Sequence, residues 1–237
     1  MSDVIDIRVM AVRSRKATVD SLLAQLQMDE SIVFYDDEGL GCMKNSIRCW
    51  SQPIREGCTH IMVVQDDVEV VNDFVQICNR IVQTFKRAIF VLHYRKITPK
   101  DRKVDSPFIC LKNKNVAGQC VIMPKELVDG YIDFYRKHVK QTDYPHDDGA
   151  IRTYAWLNDI PVFSTIPALV NNLGTDSSVI DKSHIDRTAT TKVWEGKNGA
   201  AEQEWSCKKY SVVYYPSYLQ LPEFNEVIKQ KRKMQYV

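Results

Sequence analysis

Short apolar runs bounded by charged residues alternate with helical patterns in the first third of the chain. The runs predict strands over residues 5–12, 31–35 and 61–64. Between them, apolar residues at helical spacing predict one helix that Thr18 caps and a second over residues 42–56. The apolar face of the first helix is expected to be Val19, Leu22, Leu23 and Leu26. The β-α-β-α-β order predicts a parallel sheet with helices on its faces, which is an α/β fold.

The rest of the chain predicts further strands and helices and two polar stretches without a clear period. We expect strands over residues 88–93, 116–123 and 161–166, and helices over residues 73–87, from residue 124, and over residues 146–157 and 223–235. The polar stretches are residues 94–115, expected to be irregular, and 171–205, expected to be a long mobile segment. The length of 237 residues suits one domain, with a core over residues 1–170 and a lid segment and basic C-terminal helix over 171–237.

Cysteine usage and hydropathy limit the cellular compartments that suit this protein. The seven cysteines form no C-x-x-C pair, and several lie in apolar runs, where a thiol behaves as a small hydrophobic side chain. This favours a reducing cytoplasm over a disulfide framework and argues against a zinc site. No signal-peptide pattern is seen at the start, and no apolar run approaches the ~18–20 residues of a membrane span.

Two adjacent carboxylates, Asp66 and Asp67, follow the apolar run 61–64 directly. A parallel sheet usually has its ligand crevice at this end of a strand. Carboxylates held together repel each other unless a cation or proton lies between them. A divalent cation suits the pair, and such a cation suits a diphosphate. The alternative is an ordinary strand end with solvated acids.

A second acidic cluster, Asp147 and Asp148 after His146, opens the predicted helix 146–157. A carboxylate there could act as a general base on a hydroxyl. The positive end of the helix dipole, which stabilises acids in a first turn, is a complete structural alternative.

Other candidates are weaker, and each has a structural alternative. Basic residues after the first strand could bind a diphosphate or be solvated; they are Arg13, Arg15 and Lys16. Asp36 or Asp37 could bind a ribose or base edge, or only shape a turn. Gly118-Gln119 inside a strand could mark a close ligand or a bulge. Asn172 and His184 could be late metal ligands or have no such role.

Residues 94–114 carry seven basic and two acidic residues, a local net charge of 7 − 2 = +5, and include Tyr94 and Phe108. Basic residues with aromatics suit a phosphate backbone and a flipped base. A solvated loop fits the pattern equally well. The whole chain has a net charge of only +2, so any preference for a polyanion must come from such local clustering.

In their order along the chain, these pieces resemble a nucleotide-sugar glycosyltransferase of the GT-A fold. The resemblance covers most of residues 4–180. Its motifs are Val-Val-Gln-Asp-Asp-Val at 63–68, Gly-Gln-Cys-Val-Ile-Met-Pro at 118–124, Tyr-Pro-His-Asp-Asp-Gly-Ala-Ile at 144–151 and Pro-Val-Phe-Ser-Thr-Ile-Pro-Ala-Leu-Val-Asn-Asn-Leu-Gly at 161–174.

The resemblance implies a role for each candidate. Asp67 would hold Mn²⁺ or Mg²⁺, with Asn172 and His184 as further ligands, and Asp148 or Asp147 would be the catalytic carboxylate. Residues 1–70 would bind the nucleotide-sugar, which the resemblance implies is a UDP-sugar, and residues 71–170 would bind the acceptor. The implied donor-binding residues are Ala11, Arg13, Lys16, Asp36, Asp37, Arg48, Gln65, Asp66, Gly118 and Gln119.

Two departures from the family pattern concern the metal. Gln65 replaces the first acid of the D-x-D element, and Asn171-Asn172 stand where similar proteins often have a histidine. Both predict weaker metal binding.

The resemblance extends to phage-encoded glycosyltransferases, some of which modify DNA. It implies a hydroxymethylated pyrimidine in phage DNA, or an already glycosylated one, as acceptor, with residues 94–114 contacting the DNA in the host cytoplasm. Polysaccharide and protein acceptors are the alternatives within this function. Metal-dependent phosphoryl or nucleotidyl transfer through both acidic clusters and a non-enzymatic nucleic-acid-binding module are alternatives outside it.

Overall fold

The computed structural model describes residues 4–93, 106–112, 118–140, 147–173, 197–198, 200, 203–206 and 208–214. Its strands are β1 Ile5–Ala11, β2 Val33–Tyr35, β3 His60–Gln65, β4 Val68–Val70, β5 Ile89–Val91, β6 Phe108–Lys112, β7 Cys120–Pro124, β8 Val162–Thr165, β9 Val170–Asn172 and β10 Ser211–Tyr214. Its α-helices are α1 Lys16–Leu26, α2 Gly41–Trp50, α3 Phe74–Thr84, α4 Lys125–Phe134 and α5 Asp147–Leu157.

Eight strands form one mixed sheet in the order β10-β6-β8-β5-β7-β3-β1-β2. Strands β1, β2 and β3 are parallel, as the β-α-β-α-β order predicted. Strand β7 runs antiparallel to both β3 and β5, so β3 and β5 point the same way. A separate antiparallel pair, β4 and β9, lies beyond the end of β3. The predicted α/β fold, a sheet flanked by helices, is confirmed.

The sheet is buried on both faces because its central strands are apolar at nearly every position. In β3, Met62 and Val64 belong to one core cluster, together with Leu22 of α1 and Ile77 of α3. The intervening Ile61 and Val63 belong to the other, with residues of α2, α4 and α5 such as Trp50, Tyr131 and Ile151. This alternation arises because successive side chains of a strand point to opposite faces of the sheet. Since both faces are buried, a continuous apolar run correctly predicted this strand.

Three local predictions were wrong. Thr18 does not cap α1, which begins at Lys16; its hydroxyl instead donates to the carbonyl of Arg15 at 2.8 Å. The stretch 94–115 is not irregular throughout, because the apolar residues from Phe108 to Leu111 form most of β6 between β8 and β10. Gly118 and Gln119 lie in the turn that precedes β7 rather than within the strand.

Parts of the stretch predicted to be mobile pack on the core. Trp205 is buried, and its ring meets that of Phe108 edge-on with centroids 5.9 Å apart. The backbone N–H of Asn72 donates to the carbonyl of Lys197 at 2.9 Å. Residues 174–196, the predicted helix 223–235, and both His146 and His184 lie outside the described residues. Within the described part of the chain, no helix is long and apolar enough to cross a membrane.

Candidate functional site

The acid pair lies in the turn between β3 and β4, at the end of the sheet where β1, β2 and β3 all finish. Asp66 is almost fully buried, and both of its carboxylate oxygens accept hydrogen bonds. One accepts from the backbone N–H of Val12 at 2.8 Å and the other from Arg15 Nη1 at 2.6 Å. The same Arg15 nitrogen lies 3.7 Å from Asp67 Oδ2. A guanidinium therefore bridges the two carboxylates.

The predicted metal residues Asp67 and Asn172 are neighbours through the small sheet. Val68 of β4 pairs with Asn172 of β9. The backbone N–H of Leu173 donates to the carbonyl of Asp67 at 2.8 Å, which ties the two chain segments together. Asn172 is buried at this position. The pairing of β4 with β9 thus brings together two residues that are about a hundred positions apart in sequence.

The turn before β7 connects the acid pair to the second acidic cluster. On one side, the carbonyl of Gln119 accepts from the backbone N–H of Gln65 at 2.8 Å. On the other side, a Cβ added to Gly118 would lie 2.8 Å from Asp147 Oδ1 and 3.4 Å from Asp148 Cβ. A side chain at position 118 would therefore displace the Asp147 carboxylate. Gln119 Oε1 is buried without a hydrogen-bond partner among the described residues, so it could accept from a ligand hydroxyl.

The two acids of the second cluster differ in environment. Asp147 is buried in the first turn of α5, with Cys42 Sγ 3.8 Å from its Oδ1. Burial, and then the charge of Asp148, raises the pKa of Asp147 to about 7. Asp148 is partly exposed, and its Oδ1 accepts from the backbone N–H of Gly149 at 2.6 Å. Burial also raises the pKa of the Cys42 thiol, so Cys42 stays protonated beside Asp147.

Two of the three basic residues expected to meet a diphosphate, Arg13 and Lys16, pair with acids other than Asp66 and Asp67. Arg13 makes two hydrogen bonds with Asp37, at 2.6 and 2.8 Å, and its guanidinium lies over the ring of Tyr35. Lys16 pairs with Asp20 at 2.5 Å. Arg15 is the basic residue of this turn that reaches the acids. The turn is a 3-10 helix, in which residues three apart share a side, so Arg13 and Lys16 fall on a different side from Arg15. The sequence alone does not indicate which of the three basic residues contacts the acid pair.

The candidates after β2 have backbone partners. Both carboxylate oxygens of Asp36 accept from backbone N–H groups, those of Leu40 at 2.6 Å and Gly41 at 2.8 Å. Arg48 donates to the carbonyl of Tyr35. The carbonyl of Ala11 accepts from the backbone N–H of Asp36 at 2.8 Å. These contacts order the turn between β2 and α2, which is the turn chemistry that the sequence left open.

The described side chains do not by themselves fit a divalent cation. Both oxygens of Asp66 are engaged, and Asp67 faces a guanidinium. Asp67 and Asn172 offer oxygen atoms of the kind that hard cations prefer. Within the described ranges, however, no three His, Cys, Asp or Glu side chains form a group that could hold a metal ion.

No model of a known protein family matches the sequence, and no curated protein sequence matches it significantly. Solved structures do align with the fold. One is a glycosyltransferase involved in the glycosylation of the major capsid of PBCV-1, with 11% identity and a TM-score of 0.37 over 72% of this chain and 94% of that one.

Two further solved structures align at similar values. A Drosophila beta-1,4-galactosyltransferase 7 mutant, in complex with manganese, UDP-Gal and xylobiose, gives 10% identity and a TM-score of 0.38 over 84% of this chain and 80% of that one. The inositol-1-phosphate CTP transferase from T. maritima gives 10% identity and a TM-score of 0.36 over 80% and 77%. Similarity at this level assigns neither donor nor acceptor, so the function proposed below rests on the side chains of the site.

Proposed function

We propose that this protein transfers a sugar from a nucleoside-diphosphate donor to a hydroxyl group of an acceptor. The observation that carries the proposal is the turn at Gly118 and Gln119. One side of it contacts Gln65, next to the acid pair, and the other side lies against Asp147. Glycosyl transfer requires a place for the donor next to a carboxylate that can take the proton of the acceptor hydroxyl, and the strand ends beside this turn are the proposed place for the donor.

Asp148 is the proposed general base, and Asp147 the residue that positions it. Asp148 is the more accessible of the two, so an acceptor hydroxyl can reach it. Asp147 is buried, with its pKa raised to about 7, and therefore holds a proton below about pH 7. A protonated Asp147 avoids a second negative charge beside Asp148, which leaves Asp148 to take the proton as the hydroxyl attacks.

The donor is proposed to lie over the Gly118-Gln119 turn. Glycine at 118 allows the backbone to run close to Asp147, and the buried Gln119 Oε1 can accept a hydrogen bond from a sugar hydroxyl. The proposed donor is a UDP-sugar. The base is proposed to lie toward the turn after β2, where Asp37 carries an exposed carboxylate.

The first test is a thermal-shift panel of nucleoside diphosphates and their sugars, with and without Mn²⁺. A ligand that binds only the folded protein raises its melting temperature. We expect one nucleotide-sugar to give a clear shift. The same panel with Mn²⁺ withheld tests the predicted metal requirement separately. If no donor shifts the melting temperature, the proposed function is wrong.

The second test uses the donor so identified in a transfer assay. Asp148→Asn should lower kcat by about 100-fold or more, the size expected for loss of general base catalysis. Asp67→Ala should lower transfer strongly as well. The matched controls are Asp129→Asn and Asp129→Ala on the exposed face of α4, which should leave transfer unchanged. Transfer by Asp148→Asn within a few-fold of wild type would remove Asp148 from the role of base. Release of a sugar 1-phosphate instead of a nucleoside diphosphate would indicate that the nucleotide, and not the sugar, is transferred.

The acceptor is a separate proposal, a hydroxymethylated pyrimidine of DNA contacted by residues 94–114. The net charge of +5 over this segment supports the proposal. The side chains that carry this charge lie outside the described part of the structure. Binding to DNA through phosphates should weaken steeply as salt is raised. A flat salt response would leave a polysaccharide or protein as the acceptor.

A further inference from the structure

The positive charge next to the acid pair Asp66 and Asp67 comes from a side chain of the protein, the guanidinium of Arg15. Arg15 Nη1 lies 2.6 Å from Asp66 Oδ1 and 3.7 Å from Asp67 Oδ2. The side chains are mostly buried, with 14% of Arg15, 3% of Asp66 and 13% of Asp67 exposed. Adjacent carboxylates need a positive charge between them, and the guanidinium provides it.

The arrangement is built into the fold. Arg15 ends the 3-10 turn that follows β1, and the same turn presents the N–H of Val12 to the other oxygen of Asp66. The backbone N–H of Asp66 in turn donates to the carbonyl of Met10 at 3.1 Å. The ends of β1 and β3 therefore hold the guanidinium and the carboxylates in a fixed relation.

We propose that Arg15 occupies the place of a metal ion at this site and controls whether a divalent cation can bind there. A hard cation bound to Asp67 Oδ2 at about 2.1 Å would lie no farther than about 6 Å from Arg15 Nη1. Like charges at that separation repel in a partly buried site. A divalent cation alone must therefore displace Arg15 or bind weakly.

The test measures binding of Mn²⁺ in the absence of any nucleotide, by the loss of the free Mn²⁺ signal in electron paramagnetic resonance. Wild type should leave the signal nearly unchanged. Arg15→Met should bind Mn²⁺ about tenfold more tightly or better, because it removes the competing charge and frees the carboxylates. Mn²⁺ should correspondingly raise the melting temperature of Arg15→Met but not that of wild type. Arg80→Met, an exposed arginine on α3, is the matched control and should behave as wild type.

Arg15→Met leaves Asp66 buried without its ion-pair partner. The melting temperature of this variant in the absence of metal should therefore be lower than that of wild type. Arg15→Lys keeps the positive charge and should bind Mn²⁺ as weakly as wild type. If Arg15→Met does not fold, the double variant Arg15→Met/Asp66→Asn removes both charges, leaves Asp67, and should still gain Mn²⁺ binding over wild type. Wild type that binds Mn²⁺ alone as tightly as these variants, or variants that gain no binding, would overturn the proposal. Because no donor is present, this outcome is independent of the proposed glycosyl transfer.

Discussion

At the scale of single residues, Asp147 makes the stability of the protein depend on pH. Burial beside Gly118 and Cys42, and then the charge of Asp148, raises its pKa from 3.8 to about 7. The folded protein therefore keeps this proton to a higher pH than the unfolded chain does. As pH rises from about 4 to about 7, the unfolded chain loses the proton first, and the folded state becomes less stable by up to about 4 kcal/mol.

We predict that Asp147→Asn removes this dependence. The amide cannot ionise, so the variant should be more stable than wild type at about pH 8 and similar to it at about pH 4. Urea unfolding of both proteins at the two pH values measures the difference. Asp129→Asn, at an exposed position, is the control and should follow wild type. If wild type and Asp147→Asn change equally between the two pH values, Asp147 does not carry the raised pKa.

Asp147→Asn also separates positioning from catalysis at the residue scale. The amide keeps the shape of a protonated carboxyl, so Asp148 should stay in place. The neutral side chain also cannot gain a charge above pH 7. We therefore expect transfer to persist in Asp147→Asn and to fall by about 100-fold or more in Asp148→Asn, which fits a base supported by a neutral neighbour.

At the scale of elements, Asp36 is expected to stabilise the start of α2 (Gly41–Trp50). Its carboxylate accepts from the N–H groups of Leu40 and Gly41, which would otherwise lack partners at the helix start. Asp36→Ala should lower the free energy of unfolding by about 1–2 kcal/mol, as loss of a helix cap does. Asp37→Ala is the matched control, because its partner Arg13 is solvent-exposed, and it should leave stability nearly unchanged.

Nucleotide affinity distinguishes the two adjacent acids further. If Asp36 only orders the turn, any loss of nucleotide affinity in Asp36→Ala should be matched by a loss of stability. A loss of affinity in Asp37→Ala would indicate that the exposed carboxylate contacts the base. Titration of the donor found in the thermal-shift panel measures both. Asp36→Ala with unchanged stability and lost nucleotide binding would contradict the capping role.

The elements also show what the sequence could and could not predict. The strands β1 and β3 and the acids after β3 were predicted because an apolar run ending in charge is a local signal. The strand β6 was missed because its apolar residues stand at the end of a long basic stretch. The choice of Arg15 over Arg13 and Lys16 depends on the geometry of a 3-10 turn, and the pairing of Val68 with Asn172 depends on contacts about a hundred residues apart. Neither leaves a periodic pattern in the sequence.

At the scale of the whole molecule, Trp205 and strand β10 complete the core and the sheet of the described part of the chain. Strand β10 pairs in parallel with β6 at the edge of the eight-stranded sheet. Before it, Trp205 is buried against Phe108, and its carbonyl accepts from the hydroxyl of Thr84 at 2.9 Å. The predicted division into a core over residues 1–170 and a lid segment after it assigns Trp205 and β10 to the lid segment, and truncation of the chain can test that division.

We predict that a chain truncated after Leu173 melts at a lower temperature than the full chain and aggregates more readily. Truncation removes the buried Trp205, whose loss alone should cost about 3–5 kcal/mol. It also leaves β6 as an unpaired edge of the sheet, which favours association between chains. A chain truncated after Tyr214 keeps Trp205 and β10 and is the control, expected to stay monodisperse and closer in stability to the full chain. Thermal unfolding and size-exclusion chromatography of the three proteins measure the effect. Equal melting temperatures for the full chain and the one ending at Leu173 would instead establish residues 1–173 as a core that folds without the rest.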